Sequence, residues 1–185
     1  ENMKKILFVI GSLQLGGAET ILVDILNNIN NKFKINLLLI NKSGPKLKLL
    51  NKNIKLLYLT KDDKYCSNKF EIFVNKIYRS LIYRFLSKNQ FYVKLIYKLI
   101  LHEKYDFEIG FLEGVPADII TRSPNKLSKK IMWIHSDINN NQKEKNEFSC
   151  NLKKLDFIVC NSYACASSFK DVFSEFENKV IPIPN

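Results

Sequence analysis

The segment GSLQLGGAET (11–20) contains the residue types that bind phosphate groups in many proteins. It places three glycines between the apolar run ILFVI and a helix-like pattern that begins near Glu19. Glycine lets a backbone approach a ligand without an obstructing Cβ, and the free N–H groups at the start of a helix attract anions. The residues therefore predict either an anion site at Gly16 and Gly17 or a loop that only turns the chain.

Two better-defined phosphate motifs do not fit this segment. A dinucleotide-binding loop needs G-x-G-x-x-G and an acidic residue about 20 positions later. Here the glycine spacing differs, and no Asp or Glu occurs between Asp24 and Asp62. A P-loop needs a lysine and a hydroxyl residue where Gly17 and Ala18 stand. Neither dinucleotide binding nor hydrolysis of a nucleoside triphosphate is supported.

The cysteines and histidines do not follow a metal-binding pattern. The four cysteines include no C-x-x-C pair, and His102 and His135 are far apart in the sequence. We therefore expect no metal site and no cofactor. A domain of this size does not need disulfides, so the thiols are interpreted as reduced cytosolic residues.

Short apolar runs predict the elements that would position the glycine segment. The runs are continuous rather than alternating, which is typical of strands buried on both faces of a parallel sheet. They cover residues 5–10, 35–40, 54–59, 107–112, 130–135, 156–161 and 179–184. Helical patterns lie between them, over 19–29, 116–123 and 163–173, the last after the N-cap candidate Ser162. The alternation predicts an α/β, Rossmann-like fold with a doubly wound, mostly parallel sheet and helices on both faces.

Residues 69–102 interrupt this alternation with a basic amphipathic pattern. The segment carries seven Lys or Arg residues and one acidic residue, Glu71. On a helical wheel one broad apolar face contains Phe70, Val74, Ile77, Tyr78, Leu81, Ile82 and Phe85. The pattern predicts a helical insertion that either lies on an anionic membrane or packs on the sheet with its charges in solvent.

The chain as a whole is basic, with a formal net charge of +11 over 185 residues. Such a charge is typical of proteins with an anionic partner, although abundant Lys, Asn and Ile would also arise in an AT-rich genome. No nucleic-acid-binding motif is evident, so we expect no nucleic-acid partner. No apolar stretch approaches the roughly 18 residues that span a bilayer, and the N-terminus lacks the features of a signal peptide. We expect a cytoplasmic chain, peripheral on the inner face of the cell membrane if 69–102 docks there.

Four motifs, in order, resemble the N-terminal half of the family 4 (group 1) glycosyltransferases, which have the two-domain GT-B architecture. The motifs are GGAE (16–19), FLEG (111–114), WIHSD (133–137) and DFIVCNS (156–162). The final VIPIPN resembles the strand that leads into the interdomain linker of these enzymes. The resemblance covers nearly the whole chain and is weakest over 69–102. It implies that residues 1–185 form an acceptor-binding domain and that the donor-binding C-terminal domain is absent from this chain.

The resemblance also implies roles for particular residues. Gly16 and Gly17 would place backbone amides near the diphosphate or the transferred sugar, where they would stabilise charge on the leaving group. His135, at a strand end that faces the cleft, would be the catalytic residue that hydrogen-bonds the transferred sugar or places the acceptor hydroxyl. The alternative for His135 is a core histidine bonded to backbone.

Three polar residues at or just after predicted strand ends would bind substrate. By the same resemblance, Glu113 would accept hydrogen bonds from acceptor hydroxyls, and Asp137 and Asn161 would lie at the same rim. Glu113 could instead favour the dipole of the helix that follows it. Asp137 fits a helix start or a loop equally well.

Enzymes of this family retain the anomeric configuration, with the departing phosphate thought to act as base, so they need no pair of catalytic carboxylates. The sequence offers no evident pair, and it lacks the E-x7-E motif expected in the C-terminal domain. The resemblance implies transfer of a sugar from a nucleotide-diphosphate sugar to a glycan or lipid-linked acceptor in bacterial surface glycoconjugate synthesis. It also implies that this chain alone is inactive. The residues leave a second interpretation open, a non-catalytic Rossmann-like module that docks on anionic membranes through 69–102.

Overall fold

The computed structural model describes residues 3–29, 32–86, 89–135 and 152–184, with only the backbone described for 83–86. The described residues form one sheet of seven strands. The strands are β1 (Lys4–Ile10), β2 (Phe33–Lys42), β3 (Lys55–Lys61), β4 (Phe107–Gly110), β5 (Lys129–Ile134), β6 (Phe157–Cys160) and β7 (Val180–Pro182). Their order is β3-β2-β1-β4-β5-β6-β7, and every neighbouring pair is parallel. The predicted fold class, a doubly wound α/β fold, is confirmed.

Helices connect these strands where the sequence pattern changes period. They are α1 (Gly17–Asn28), α2 (Lys69–Leu86), α3 (Gln90–Ile96) with a π-helical turn (Tyr97–Leu101), α4 (Val115–Thr121) and α5 (Tyr163–Val172). Ser162 is the N-cap of α5, and its hydroxyl accepts the Cys165 N–H at 3.0 Å. The predicted capping role of Ser162 is therefore confirmed.

The central strand β1 is buried on both of its faces, which explains why its apolar run is continuous. Leu7 and Val9 belong to a core cluster that also contains residues of α4 and α5. Phe8 and Ile10 belong to a second cluster that also contains Leu22 of α1. Because helices cover both sides, an alternating polar pattern would place charges in the core.

The order of the strands reverses between β1 and β4. From β1 the chain adds β2 and β3 on one side, and from β4 it adds β5, β6 and β7 on the other. Ligands of doubly wound sheets bind in the crevice at the carboxyl ends of the strands, where the order reverses. The residues that follow β1, β4, β5 and β6 therefore meet at one edge of the sheet.

Helices α2 and α3 and the π-helical turn lie within 69–102. The inner residues of α3 and the turn, among them Val93 and Leu101, pack in a core cluster with the strands, whereas most of the predicted apolar face of α2 is exposed. The side chain of Phe85, a predicted member of this face, lies outside the described residues. Ile82 of this face is buried. Five other members are between 46% and 76% exposed, namely Phe70, Val74, Ile77, Tyr78 and Leu81. No helix among the described residues is both long enough and apolar enough to cross a bilayer.

Candidate functional site

The glycine loop after β1 (11–16) is held against the loop that follows β2. The Leu13 N–H donates to the Ser43 carbonyl oxygen at 3.0 Å. Gly44, with φ of 110°, permits this close approach, because a Cβ there would lie 1.9 Å from the Leu13 carbonyl oxygen. This contact between the two loops therefore requires glycine at position 44. The glycine loop itself leads into the start of α1.

The start of α1 has an open side and an occupied side. Gly17 opens the helix, and no heavy atom lies within 4 Å of the point where its Cβ would be. At the N-cap, a Cβ on Gly16 would lie 2.0 Å from Glu19 Oε2, so the Glu19 carboxylate covers this residue. The Gly16 carbonyl oxygen accepts a hydrogen bond from Lys46 Nζ at 2.8 Å, which anchors the loop. The structure therefore leaves the backbone beside Gly17 accessible to a ligand.

Glu19 is a site residue to which the sequence analysis assigned no role. It is the third residue of a helix capped by Gly16, the position from which a glutamate reaches back in a capping box. A carboxylate there is stabilised by the positive end of the helix dipole. The G-x-x-E spacing was the available signal. A phosphate bound at Gly16 would have to displace this carboxylate.

The backbone of His135 joins two of the predicted substrate-binding residues. His135 directly follows β5, and its N–H donates to Glu113 Oε1 at 3.3 Å. Its carbonyl oxygen accepts a hydrogen bond from Asn161 Nδ2 at 3.3 Å. Residues that follow three adjacent strands, β4, β5 and β6, are therefore connected through His135. Asp137 lies outside the described residues.

The imidazole of His135 is half-buried against aromatic rings. Its centroid lies 4.9 Å from that of Phe111 and 6.1 Å from that of Trp133, to which it is nearly parallel. Burial lowers the pKa of His135 below 6.5, and the carboxylates of Glu113 and Glu19 oppose that shift. The Nε2 atom is buried and has no hydrogen-bond partner among the described residues. At neutral pH this site presents an uncharged imidazole, which can accept or donate a single hydrogen bond.

The thiol that immediately precedes Asn161 in the sequence does not suit nucleophilic chemistry. Cys160 ends β6, immediately before Asn161, and is fully buried. Burial, with a smaller effect of Cys165, raises the pKa of Cys160 to about 12. A thiol with such a pKa is protonated near neutrality and is a poor nucleophile.

The charged residues at the opposite edge of the sheet form ion pairs with one another. Glu103 lies within 3.2 Å of the ammonium groups of Lys5, Lys34 and Lys55. Hydrogen bonds from these lysines, that from Lys34 foremost, lower the pKa of Glu103 to about 2. Surface cavities of about 390 and 540 Å³ lie at this amino edge, and none of the predicted site residues lines either cavity. The amino edge therefore has no part in the predicted site.

No family model matches the chain, and no curated protein matches it in sequence. The fold matches solved structures of Anabaena HepE (Alr3699) at low sequence identity. The complex with UDP and glucose has a TM-score of 0.60 at 14% identity, over 98% of this chain and 44% of HepE. The complex with UDP-glucose has a TM-score of 0.58 at 13% identity, over 98% and 43%.

The likeness to HepE establishes the fold of this chain. The chain spans less than half the length of the HepE structures that it matches. That share is the one expected of a single domain in a two-domain GT-B architecture. The structural match therefore agrees with the predicted Rossmann-like fold.

Proposed function

We propose that this chain is the acceptor-binding half of a GT-B glycosyltransferase that uses a nucleotide-diphosphate sugar. The observation that carries the proposal is the connection of Glu113, His135 and Asn161 at the crevice where the strand order reverses. It is supported by the ligands of the HepE structures, UDP-glucose in one and UDP with glucose in another. UDP and glucose are what remains when water breaks the bond between the sugar and the diphosphate of UDP-glucose.

The crevice contains groups suited to both halves of a sugar transfer. The amide of Gly17 and the positive end of the α1 dipole would stabilise negative charge on the departing diphosphate. The uncharged imidazole of His135 would hydrogen-bond a hydroxyl of the transferred sugar or of the acceptor. The carboxylate oxygens of Glu113 would accept a hydrogen bond from an acceptor hydroxyl, while Oε1 also accepts one from the His135 N–H.

The finer features of this proposal rest on the motif resemblance. They are membership of family 4, retention of configuration, a role in bacterial surface glycoconjugate synthesis and a position at the cytoplasmic face of the membrane. In a retaining transfer the C1–O bond to the diphosphate breaks and the acceptor oxygen bonds to C1 on the same face. The acceptor proton passes to the departing phosphate, so Glu113 and Asp137 would only bind substrate. The donor would lie between this domain and a C-terminal one.

The test measures release of nucleoside diphosphate by the full-length translation product that contains this chain. The donors are UDP-, GDP- and ADP-sugars, and each is combined with soluble and lipid-linked acceptors. We expect release from one donor, dependent on one acceptor class, and no release by residues 1–185 alone. Absence of release from every donor with every acceptor would contradict the proposal.

A second candidate is the non-catalytic module that docks on anionic membranes. The observation that favours it is the exposed apolar face of α2. The two candidates are separated by the donor assay, since a docking module releases no nucleoside diphosphate. An enzyme with a lipid-linked acceptor would combine both properties.

A further inference from the structure

Helix α2 is attached to the rest of the molecule by polar side chains and by the buried Ile82. Glu71 forms an ion pair with Lys61, and Asn75 Nδ2 donates to the Lys61 carbonyl oxygen at 2.6 Å. Arg79 Nη2 donates to Asp63 Oδ1 at 3.1 Å. Glu71, Asn75 and Arg79 are spaced by four residues and so line one side of the helix. We call these three residues the polar seam.

The other side of α2 exposes a continuous set of large apolar residues. This apolar face consists of Phe70 (76% exposed), Phe73 (61%), Val74 (46%), Ile77 (47%), Tyr78 (46%) and Leu81 (46%). A helix on the surface of a globular protein ordinarily buries its apolar side and exposes its polar side. Helix α2 does the reverse, and exposed patches of this kind mark binding surfaces.

Helix α3 and its π-helical turn repeat the exposed apolar pattern. The exposed side chains are Phe91 (64%), Tyr92 (37%), Leu95 (40%) and Leu99 (58%). Lys94 and Lys98, one turn apart, are also exposed and form no ion pair with any residue that the structure describes. The two helices together therefore present apolar surface with cations beside it.

The charge around the apolar face is positive. Lys69 and Lys76 lie on α2 and are exposed. Asp63 forms ion pairs with both Lys76 and Arg79, so this carboxylate compensates only one of the two cations. The one acidic residue of 69–102, Glu71, is neutralised by Lys61 in the polar seam. The occupant of this face must therefore be apolar where it meets Phe73 and Ile77, and anionic around them. A second copy of this chain would bring two positive borders together, and each copy carries a net charge of +11.

We propose that α2 and α3 seat the chain on the surface of an anionic membrane. The apolar face enters the boundary between headgroups and acyl chains, to the depth of about 5–10 Å typical of interfacial helices. The lysines contact anionic headgroups, and the hydroxyls of Tyr78 and Tyr92 stay at the interface, where tyrosine is favoured. This inference concerns a partner and does not depend on sugar transfer.

The experiment measures binding of the full chain to vesicles, without donor or acceptor, by flotation. One vesicle is phosphatidylcholine alone, and the other contains roughly 30% phosphatidylglycerol, an anionic composition of the kind that attracts basic segments. We expect binding to the anionic vesicle only. Phe73→Ser with Ile77→Ser should weaken it at least tenfold, and Lys94→Gln with Lys98→Gln by roughly fivefold per charge removed. The matched control is Leu127→Ser, since Leu127 is 91% exposed but lies outside 69–102.

A second measurement detects insertion as distinct from electrostatic adsorption. Phe73→Trp adds an indole to the apolar face, and the native Trp133 is buried in the sheet. We expect brominated acyl chains to quench the added indole and to spare Trp133. Equal binding to both vesicles, no binding, or no quenching would overturn the proposal. A dimer in sedimentation velocity that Phe73→Ser with Ile77→Ser abolishes would overturn it too, and would identify a second copy as the occupant.

Discussion

At the residue scale, the site depends on how the chain fixes one histidine. Both backbone polar groups of His135 are bonded to side chains from neighbouring strand ends, Glu113 and Asn161. The backbone is therefore held while the imidazole keeps a ring nitrogen, Nε2, without a partner among the described residues. A buried polar atom without a partner is unfavourable in a folded protein. A ligand hydroxyl could remove that penalty only if the atoms that cover Nε2 moved aside.

The first prediction concerns turnover after removal of the imidazole. His135→Ala in the complete protein should lower turnover by about tenfold or more, because a hydrogen bond to a reacting group is lost. The control is His102→Asn, since His102 is exposed and has φ of 51°, a conformation that asparagine tolerates. Steady-state kinetics and circular dichroism are compared for both variants. Unchanged turnover in His135→Ala would remove the proposed role of this residue.

The second prediction concerns the protonation of His135. Its pKa is lowered by burial and partly restored by the negative charge of Glu113. Glu113→Gln should therefore lower the pKa of His135 further, which a ¹H NMR titration of the imidazole would measure. The folded pKa lies below the unfolded value of 6.5, so the folded state binds fewer protons. Above about pH 6.5 His135 is uncharged in both states and costs no stability. As pH falls below 6.5, the unfolded state binds a proton before the folded state does, so the free energy of unfolding decreases. A rise in the pKa would contradict the assignment of Glu113.

At the element scale, the glycine loop depends on a residue outside it. Gly44 allows the loops after β1 and β2 to touch, because a Cβ at this position would meet the Leu13 carbonyl oxygen at 1.9 Å. Gly17, by contrast, has open space around its Cβ position. The two glycines thus have different uses, one for the backbone and the other for access by a ligand.

The third prediction compares alanine at these two glycines. In Gly44→Ala the new Cβ would clash with the Leu13 carbonyl oxygen, and the alanine backbone would be held at φ of 110°. Backbone strain of this kind costs about 1–3 kcal/mol before the clash is counted. Gly17→Ala should change the free energy of unfolding by less than about 0.5 kcal/mol, as is usual at exposed positions. Urea denaturation at pH 7 measures both. If Gly17→Ala were the more destabilising variant, the account of the loop would be wrong.

The elements could be predicted from the sequence where one physical cause dominated. Continuous apolar runs predicted the parallel strands because burial on both faces excludes alternation, and Ser162 predicted the start of α5 because its hydroxyl replaces a missing acceptor. The requirement at Gly44 could not be predicted, since it depends on a contact within a folded loop. The position of Glu19 had a signal in the G-x-x-E spacing, which the sequence analysis did not use. The orientation of α2 also escaped prediction. A helical wheel shows two faces and does not say which one meets the sheet.

At the scale of the whole molecule, one buried ionic contact joins the sheet to the α2–α3 region. Glu108 of β4 is fully buried, and Lys130 Nζ of β5 lies 2.8 Å from its Oε2. The Tyr97 hydroxyl, from the π-helical turn, donates to the same oxygen at 2.8 Å. Burial, followed by the charge of Glu108, raises the pKa of Tyr97, so the tyrosine remains a donor. The contact connects two strands with the segment that presents the apolar surface.

The fourth prediction tests this contact by removing its cation. Lys130→Met leaves the Glu108 carboxylate buried without its counter-ion, a change that costs about 3–5 kcal/mol when a buried pair is broken. The matched control is Lys129→Met, because Lys129 is exposed and its ion pair with Asp156 lies at the surface, where such pairs contribute about 0–1 kcal/mol. Replacing both partners, Glu108→Leu with Lys130→Met, should recover much of the loss, since no unpaired charge remains. Urea denaturation gives the three free energies, and hydrogen exchange of the Tyr97–Leu101 amides reports whether the π-helical turn loosens in the single variant alone. Equal destabilisation by Lys129→Met and Lys130→Met would mean that the buried pair does not hold the sheet to this segment.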